Sequence, residues 1–489
     1  MGFSAVDYTV LVVYLVGITL FGSRFRHTQH TVKDYFLGNR RTPWLVISLS
    51  IVATETSTLT LIGVPALAYT VYERPEEGGS FTYLQVVVGY IIARFVVSWI
   101  FIPRYFQGEM LTAYELLNRR FGPGSKHFAA SLFLVMRALA EGVRVFAASL
   151  VLAAVIGASV PGLPNLWLWS IVMVGLLTLV YTFEGGIAAV IWTDLAQLVI
   201  YVGGSLLAAC MLLYLVPGGW SAIAADARVA GKLHVISWSR DLSMPFTLWA
   251  GFIGGCFLTM ASHGTDQLLV QRLLTCRTRR ESQLALIVSG FVVLAQFALF
   301  LAIGVMLHAY YAVHPLPAIA TDDEIFPAFI VRSLPRGIAG LVIAAIFAAA
   351  MSNLSGSLNS LASTTVLDFY QPLVGRRLED RRLLTISRWL TACWGAILIV
   401  IAILARDWGS VFTAGLTIAS IVYGPMLGAF LMGILTSRAT ERGVMAGMGV
   451  SLAAMIVVHL YTPLAWTWYV VTGTLLCAAV GMMVSLVDG

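Results

Sequence analysis

The chain has 489 residues, of which 59% are hydrophobic and only 11% carry a charge. Soluble globular proteins are typically about one-quarter charged, so this composition excludes a soluble enzyme or binding module and indicates an integral membrane protein. The net charge of +6 does not indicate nucleic-acid binding, because the basic residues cluster in loops predicted to lie on one side of a membrane. The five cysteines have no paired spacing, which favours neither a disulfide framework nor a metal site.

Thirteen apolar runs are long enough to cross a bilayer, which takes about 20 residues. In chain order they are 6–23, 43–71, 80–104, 126–158, 165–183, 186–216, 244–268, 283–312, 339–368, 384–405, 408–436, 442–461 and 465–486. We name the first the leading span, the next ten core spans one to ten, and the last two the trailing spans. No basic segment or small-residue cleavage site accompanies the leading span, so it is predicted to be a retained helix.

The loops between these spans differ in charge. Twenty of the 30 lysines and arginines fall on one side of the predicted membrane and seven in the opposite loops. The positive-inside rule makes the basic side cytoplasmic. The pattern therefore predicts a protein of the cytoplasmic (inner) membrane with its N-terminus outside and its C-terminus in the cytoplasm.

Core span one contains ISLSIVATETSTLTLIG, residues 47–63, in which seven hydroxyl side chains and the carboxylate of Glu55 fall at membrane depth. A charged group there costs at least a few kcal/mol unless it is paired or hydrated. Non-helical backbone is tolerated at that depth only where it lines a cavity or is covered by protein. The cluster predicts a helix break over residues 53–58 whose freed carbonyls can bind a cation. The alternative is an intact helix in which Glu55 is protonated.

Core span six contains a second polar cluster, TMASHGTDQLLVQR, residues 259–272, where Gly264 precedes a run typical of a new helix start. If core spans one to five and six to ten are two repeats, each repeat begins with an interrupted helix. Matching interrupted spans in the two halves indicate the binding site of a secondary transporter. His263 is interpreted either as a substrate contact or as a buried histidine with its own partners.

Core span eight carries a third cluster, in which Ser352, Ser355 and Asn359 form one polar stripe. Hydroxyl and carbonyl oxygens are the ligands that a hard monovalent cation requires. Asp194 in core span five is either a second cation ligand or a residue that caps or bridges helices.

Core span three places Arg137, Glu141 and Arg144 on one helix face. They form either an internal salt-bridged cluster or a cluster with one arginine left over to grip a carboxylate of the substrate. Phe81 and Gln85 share a face of core span two and could complete a pocket wall. The sequence has no phosphate-binding P-loop and no Ser/His/Asp constellation, so we expect neither direct ATP drive nor an enzyme.

Six segments together resemble the sodium–solute symporter family, which includes sodium/proline, sodium/glucose, sialic acid and iodide symporters. They are DYFLGNRR (34–41), SLSIVATETSTLTLIGVPALAY (48–69), GGIAAVIWTDLAQ (185–197), GTDQLLVQR (264–272), AAAMSNLSGSLNS (348–360) and YGPMLGAFLMG (423–433). The resemblance implies the fold of the amino-acid transporter LeuT, an all-α five-plus-five inverted repeat. A single transmembrane domain, 1–489, would comprise a leading helix (6–23), repeat one (43–216), repeat two (244–436) and trailing helices (442–486).

The resemblance also implies a sodium site between core spans one and eight. Its ligands would be the carbonyls of Ala53, Thr56 and Ala349 and the side chains of Ser352 and Asn353. Asn353 departs from the serine or threonine usual in the family, although an amide oxygen can also coordinate sodium.

Some family members bind a second sodium near the aspartate of core span five. Asp194, Ser352 and Ser355 match that pattern, but Gly356 replaces a hydroxyl residue, so the sequence leaves one or two sodium ions open. The substrate positions implied by the resemblance are Ser57, Thr60, Phe81, Gln85, Glu141, Arg144, Ser262 and His263.

These observations predict a sodium-coupled symporter that imports a small polar solute by alternating access. Arg137 and Arg144 favour a carboxylate-bearing solute, such as an amino acid or organic acid. A neutral sugar or polyol is the first alternative, and coupling to protons through Glu55 or Asp194 is the second. A sensor without transport is a further alternative. The expected partners are the solute, sodium and the lipid bilayer, with no nucleic acid and no obligatory protein partner.

Overall fold

The computed structural model describes residues 4–40, 42–108, 110–159, 165–316, 321–375, 379–407 and 411–488, and these ranges contain helices and loops but no strand. The first six long helices are α1 (Ala5–Ser23), α2 (Trp44–Glu55), α3 (Thr58–Tyr69), α4 (Leu84–Ile100), α5 (Pro123–Ser159) and α6 (Leu166–Leu215). The next four are α7 (Gly255–Gly264), α8 (Gln267–Leu274), α9 (Arg279–Val313) and α10 (Ile338–Thr364). The last four are α11 (Asp380–Leu404), α12 (Val411–Leu435), α13 (Glu441–Tyr461) and α14 (Tyr469–Asp488).

Nine helices in the described part of the chain are long and apolar enough to cross a membrane, or ten when the bent pair α2–α3 counts as one span. The predicted total of thirteen requires three more crossings. Helix α6 would have to cross the membrane twice, and the charge-bearing α5 and the interrupted α7–α8 pair would each have to cross it once. The helical membrane class is therefore confirmed, while the number thirteen stays a prediction. The first three residues of the predicted span 408–436 lie outside the described residues.

The predicted break in core span one is present. Helix α2 ends at Glu55, Thr56 leaves helical geometry at φ −85° and ψ 95°, and α3 begins at Thr58 after a bend of 62°. No glycine or proline causes this break. Ser57 begins α3 as its N-cap, because its hydroxyl accepts a hydrogen bond from the Thr60 backbone N–H at 3.3 Å.

Helix α6 contains the two predicted spans 165–183 and 186–216, joined at Gly186. Gly186 has φ 55° and ψ −154°, a conformation that glycine tolerates because it lacks a Cβ. A Cβ at Gly186 would also lie 2.8 Å from Cδ2 of Tyr35. The hydroxyl of Tyr35 donates to the Thr182 carbonyl at 3.2 Å. This bond fixes the short Val32–Leu37 helix against α6 near the kink at Gly186.

The centre of the bundle is α10, where every residue from 342 to 364 is buried. It packs against α6, α5, α1 and α11. Because residues 342–364 of α10 have no face toward lipid, their polar side chains bond either to carbonyls of α10 itself, as Ser355 does, or to groups on other helices, as Ser352 and Asn359 do. This position explains why a helix so rich in polar side chains can lie at membrane depth.

Helices α4 and α7 approach closely through glycines. A Cβ at Gly255 would lie 2.6 Å from the carbonyl oxygen of Val86, and one at Gly251 would lie 2.7 Å from the carbonyl carbon of Gln85. Small residues allow such backbone contact between membrane helices. The trailing helices α13 and α14 pack on each other and on α12, again through glycines, including Gly447 and Gly481.

One end of α3 is capped by a lysine from a distant loop. Lys232 Nζ donates to the carbonyls of Ala68, Tyr69 and Thr70 at 3.0, 2.8 and 3.1 Å. Burial lowers the pKa of Lys232 to about 8, so the amine is still mostly protonated at pH 7. A cation at the carboxyl end of a helix is also favoured by the helix dipole. This contact ties α3, the second half of the broken span, to the loop that precedes core span six.

Candidate functional site

A cavity of about 160 Å³ lies between the two interrupted helices. The second interruption separates α7 from α8 at Thr265 and Asp266, as the sequence predicts, and Asp266 Oδ1 accepts a hydrogen bond from the Leu268 N–H at 2.9 Å. Tyr83, Tyr90 and Phe297 supply aromatic walls. The polar lining residues of the cavity are Thr54, Glu55, Ser57, Thr60, Arg137, Arg144, Thr259, Ser262, His263 and Tyr423.

Glu55 lines the cavity and has partners on two other helices. Its Oε2 accepts a hydrogen bond from Nη2 of Arg94, whose side chain is fully buried in α4. Its Oε1 lies 2.9 Å from Nε2 of His263. The other ring nitrogen of His263, Nδ1, lies 2.9 Å from the Ser262 hydroxyl. Glu55 is therefore charge-paired, which removes most of the cost of a carboxylate at this depth.

Arg137 forms a buried ion pair with Asp266 and not with Glu141 on its own helix. Its Nη2 contacts Asp266 Oδ2, and the hydroxyl of Tyr423 donates to the same oxygen at 2.6 Å. The contact joins α5, α12 and the start of α8. Arg137 is thereby held by its own counterion, and its side chain is only 4% exposed.

Arg144 is more exposed and less completely bonded than Arg137. Within the described part of the chain its one hydrogen bond runs from Nη1 to Glu141 Oε2 at 3.3 Å. The same oxygen accepts a hydrogen bond from the Ser357 hydroxyl of α10 at 2.9 Å. The Arg144 side chain is 21% exposed and lines the cavity. A guanidinium has five N–H donors, so most of those of Arg144 are available to a solute.

The residues predicted to bind sodium lie where α2 and α10 pack together. Asn353 Nδ2 donates to the carbonyl of Thr56 at 3.1 Å, so the break in core span one faces the polar stripe of α10. Ala53 and Ala349 are fully buried on the two helices. The Ser352 hydroxyl donates to Asp194 Oδ1 at 2.5 Å.

Asp194 has two further contacts that the sequence alone does not reveal. Its Oδ2 accepts hydrogen bonds from the Ser50 hydroxyl at 2.5 Å and from Arg272 Nη2 at 2.9 Å. Arg272 Nε also donates to Ser50 Oγ at 3.0 Å. A Cβ at Gly356 would lie 2.6 Å from Arg272 Nη2, so the guanidinium occupies the space beside that glycine.

Five of the eight predicted substrate residues line the cavity, and three do not. Ser57, Thr60, Arg144, Ser262 and His263 are in the lining. The three others are directed elsewhere, and their roles stay predictions.

Of those three, Gln85 donates to the Phe246 carbonyl at 3.0 Å and accepts from the Ser237 N–H at 3.1 Å, which holds the loop that contains these two residues. Phe81 begins the short helix that precedes α4. Glu141 lies between Arg144 and α10.

The sequence did not indicate three residues of the site. Arg94 was not predicted at all, and Arg272 and Tyr423 were not predicted as the partners of Asp194 and Asp266. Arg94 carries a signal, since it is the only charged residue between 84 and 100, in LQVVVGYIIARFVVSWI. An ionisable residue in an apolar span is a functional candidate by default. The partners of Arg272 and Tyr423 depend on helix packing and give no such signal.

Two interrupted helices around one polar cavity are the arrangement of a secondary transporter. The sodium:solute symporter family model matches residues 35–450. The chain therefore belongs to the sodium:solute symporter family and is a multi-pass membrane transporter, not an enzyme.

Individual relatives agree with this assignment. The chain is 31% identical to the sodium/sialic acid symporter SiaT of Proteus mirabilis over 488 residues, covering 97% of this chain and 93% of the relative. It is 30% identical to the human sodium-coupled monocarboxylate transporter 1, covering 94% of this chain and 74% of that protein. The substrate-bound, outward-open structure of a Na⁺-coupled sialic acid symporter superposes with a TM-score of 0.88 at 30% identity, covering 99% of this chain and 98% of that one. The family resemblance and the LeuT-like fold are thus confirmed, and the protein is a sodium-coupled symporter.

Proposed function

We propose that the solute carries a carboxylate and that Arg144 binds it. The observation that carries this proposal is the state of Arg144, which faces the cavity with one 3.3 Å hydrogen bond among the described residues. Paired N–H donors of a guanidinium match the two oxygens of a carboxylate. Sialic acid and monocarboxylates, named for two relatives, both carry this group. A neutral sugar or polyol is the alternative solute.

We propose that sodium binds between α2 and α10. The ligands are the carbonyls of Ala53, Thr56 and Ala349 and the side chains of Ser352 and Asn353. The Asn353–Thr56 hydrogen bond supports this site, since it shows that the two helices are within ligand distance of each other. For sodium to ligate both groups, the Asn353 amide turns its oxygen toward the ion.

A second sodium beside Asp194 and Ser355 is the less supported proposal. The Asp194 carboxylate already accepts from Ser50, Ser352 and Arg272. The Ser355 hydroxyl donates to the Ser352 carbonyl at 3.0 Å. An ion there would replace at least one of these donors, while the Asp194 charge is already balanced by Arg272.

The transport cycle follows from differential binding. Sodium joins α10 to the broken span and stabilises the state in which the cavity accepts solute, because a ligand with equal affinity for two states shifts neither. We propose that residues 43–216 and 244–436 are the two inverted repeats and that the chain crosses the inner membrane thirteen times. The N-terminus would lie outside and the C-terminus in the cytoplasm.

Uptake into proteoliposomes tests the coupling and the solute class together. Carboxylate uptake should require an inward sodium gradient and stop when choline replaces sodium. Uptake that persists without sodium but stops when the proton gradient is removed would instead support proton coupling through Glu55 or Asp194. Sodium-dependent uptake of neutral sugars alone would overturn the carboxylate proposal.

A further inference from the structure

The residues that line the cavity offer two opposite kinds of hydrogen-bonding group. Arg144 is a donor only. Glu55, His263 and Ser262 form a second group of lining residues, and their hydrogen-bond directions follow from their contacts. His263 Nε2 lies 2.9 Å from a carboxylate oxygen of Glu55, so it carries the proton and donates.

The remaining contacts make this second group an acceptor. With its proton on Nε2, His263 accepts at Nδ1 from the Ser262 hydroxyl, 2.9 Å away, and the same hydroxyl lies 3.4 Å from the Thr259 carbonyl, which is also an acceptor. The hydrogen of Ser262 is therefore used, and its oxygen presents lone pairs to the cavity. Glu55 accepts one hydrogen bond on each oxygen, which leaves lone pairs on both. Its side chain is 15% exposed, whereas that of Arg94 behind it is not exposed at all.

The volume of the cavity matches a compact solute. An apolar cavity of about 150 Å³ holds benzene, a ligand with about six non-hydrogen atoms. The present cavity has a similar volume, about 160 Å³, but is partly open and is lined by polar as well as apolar side chains. A compact solute fits this volume, and its two polar groups then meet the donor and the acceptor residues of the lining.

We propose that this protein is specific for small carboxylates that carry a second, hydrogen-bond-donating group, a hydroxyl or an ammonium, and that Glu55 and Ser262 accept hydrogen bonds from that group. The inference rests on the proposed function, which assigns the carboxylate to Arg144. It adds Glu55 to the solute-binding residues and excludes compact acids that lack a donor. A buried acceptor left without a donor costs free energy. Acids that lack a donor group therefore bind more weakly than acids that carry one.

Binding of five acids to the purified full-length protein, by calorimetry in sodium chloride and in choline chloride, tests this inference. Lactate carries a hydroxyl donor, alanine an ammonium donor, and pyruvate and propionate carry neither. The fifth probe is sialic acid, a much larger sugar acid. Lactate or alanine should bind in sodium at least about tenfold more tightly than pyruvate and propionate. Whichever of the two binds more tightly identifies the donor.

The variant Ser262→Ala provides the site-level test. It should weaken the tighter of lactate and alanine several-fold and leave pyruvate unchanged. The matched control is Ser451→Ala, whose hydroxyl donates to the Gly473 carbonyl in the trailing helices. The variant Glu55→Gln leaves Arg94 without its counterion, which can lower the stability of the protein. Its affinity for lactate and alanine is therefore compared with that of the wild type only if the two proteins have the same melting temperature.

The outcomes separate the inference from the proposed function. Equal affinity for propionate and lactate in sodium would overturn the donor requirement while the carboxylate proposal stands. Sodium-dependent binding of sialic acid alone would likewise uphold the carboxylate and overturn the size class. Binding of none of the five acids in sodium would count against the carboxylate proposal, and the inference would fall with it.

Discussion

Asn353 donates a hydrogen bond from its side-chain amide to the backbone carbonyl of Thr56, 3.1 Å away. This bond joins the central helix α10 to a carbonyl of Thr56, a residue that leaves helical geometry at the break in core span one. A buried carbonyl at a helix break requires a partner, which is either this amide or a cation.

Replacing Asn353 should therefore change the sodium requirement. We expect Asn353→Ala to raise the sodium concentration for half-maximal uptake several-fold, because one oxygen ligand and the Thr56 partner are both lost. Asn353→Ser, which restores the residue usual in the family, should stay close to the wild type. Uptake measured against sodium concentration at fixed solute checks both variants, and identical curves for all three proteins would remove Asn353 from the site.

Ser352→Ala should also raise the sodium requirement several-fold, since the hydroxyl is a predicted ligand and a donor to Asp194. A sodium-dependent thermal shift of the purified variant checks this expectation. Ser451→Ala again provides a buried serine control. Unaltered sodium dependence in Ser352→Ala would exclude its hydroxyl as a ligand.

Breaking the Asp194–Arg272 ion pair should destabilise the fold. Asp194→Asn leaves the Arg272 guanidinium buried beside a neutral group, and removing one partner of a buried pair costs about 3–5 kcal/mol. Adding Arg272→Gln to Asp194→Asn should restore part of that loss, because the uncompensated charge disappears. Melting temperatures of the two single variants and the double variant give the coupling energy. Additive losses would show that the two residues do not stabilise each other.

The glycine contact between α4 and α7 gives a packing prediction. Gly255→Ala should destabilise the protein by about 1–3 kcal/mol, since the new Cβ meets the Val86 carbonyl and forces the helices apart. The control is Gly203→Ala in α6, where a new Cβ meets nothing within 4 Å. Melting temperature in detergent is the measurement, and equal values for both variants would contradict the close approach.

Lys232→Met should remove the cap of α3 and lower stability by about 1–3 kcal/mol, because buried carbonyls lose their donor. Hydrogen exchange of residues 66–70 should become faster in the variant, while exchange in the trailing helices α13 and α14 stays unchanged. A protection pattern indistinguishable from the wild type would show that the cap does not hold α3.

The sequence predicted those features that depend on local chemistry. The hydroxyl cluster around Glu55 predicted the first helix break, and Asp266 after Gly264 predicted the second, because caps and breaks are properties of neighbouring residues. The structure also bends α6 at Gly186, where the predicted span 186–216 begins. Each of these features is encoded within a few residues of where it occurs.

The sequence did not predict which residues on different helices contact each other. Helical spacing suggested Glu141 as the partner of Arg137, yet the ion pair is with Asp266 on α8. Helical periodicity gives the face on which a charge lies but not which helix packs against that face. Arg94 and Glu55 are 39 residues apart and meet only because α4 packs near the broken span.

The ion pairs inside the bundle have an electrical consequence. Four carboxylates at membrane depth each face their own arginine, in the pairs Glu55–Arg94, Glu141–Arg144, Asp194–Arg272 and Asp266–Arg137. The four pairs sum to zero charge, so the membrane potential acts on no net charge from these eight side chains, and the charges of sodium and solute are added to a sum of zero. One sodium carried with a hydroxy acid anion sums to zero charge and moves independently of voltage. One sodium carried with a zwitterion moves one elementary charge, which is worth about 2.3 kcal/mol per 100 mV.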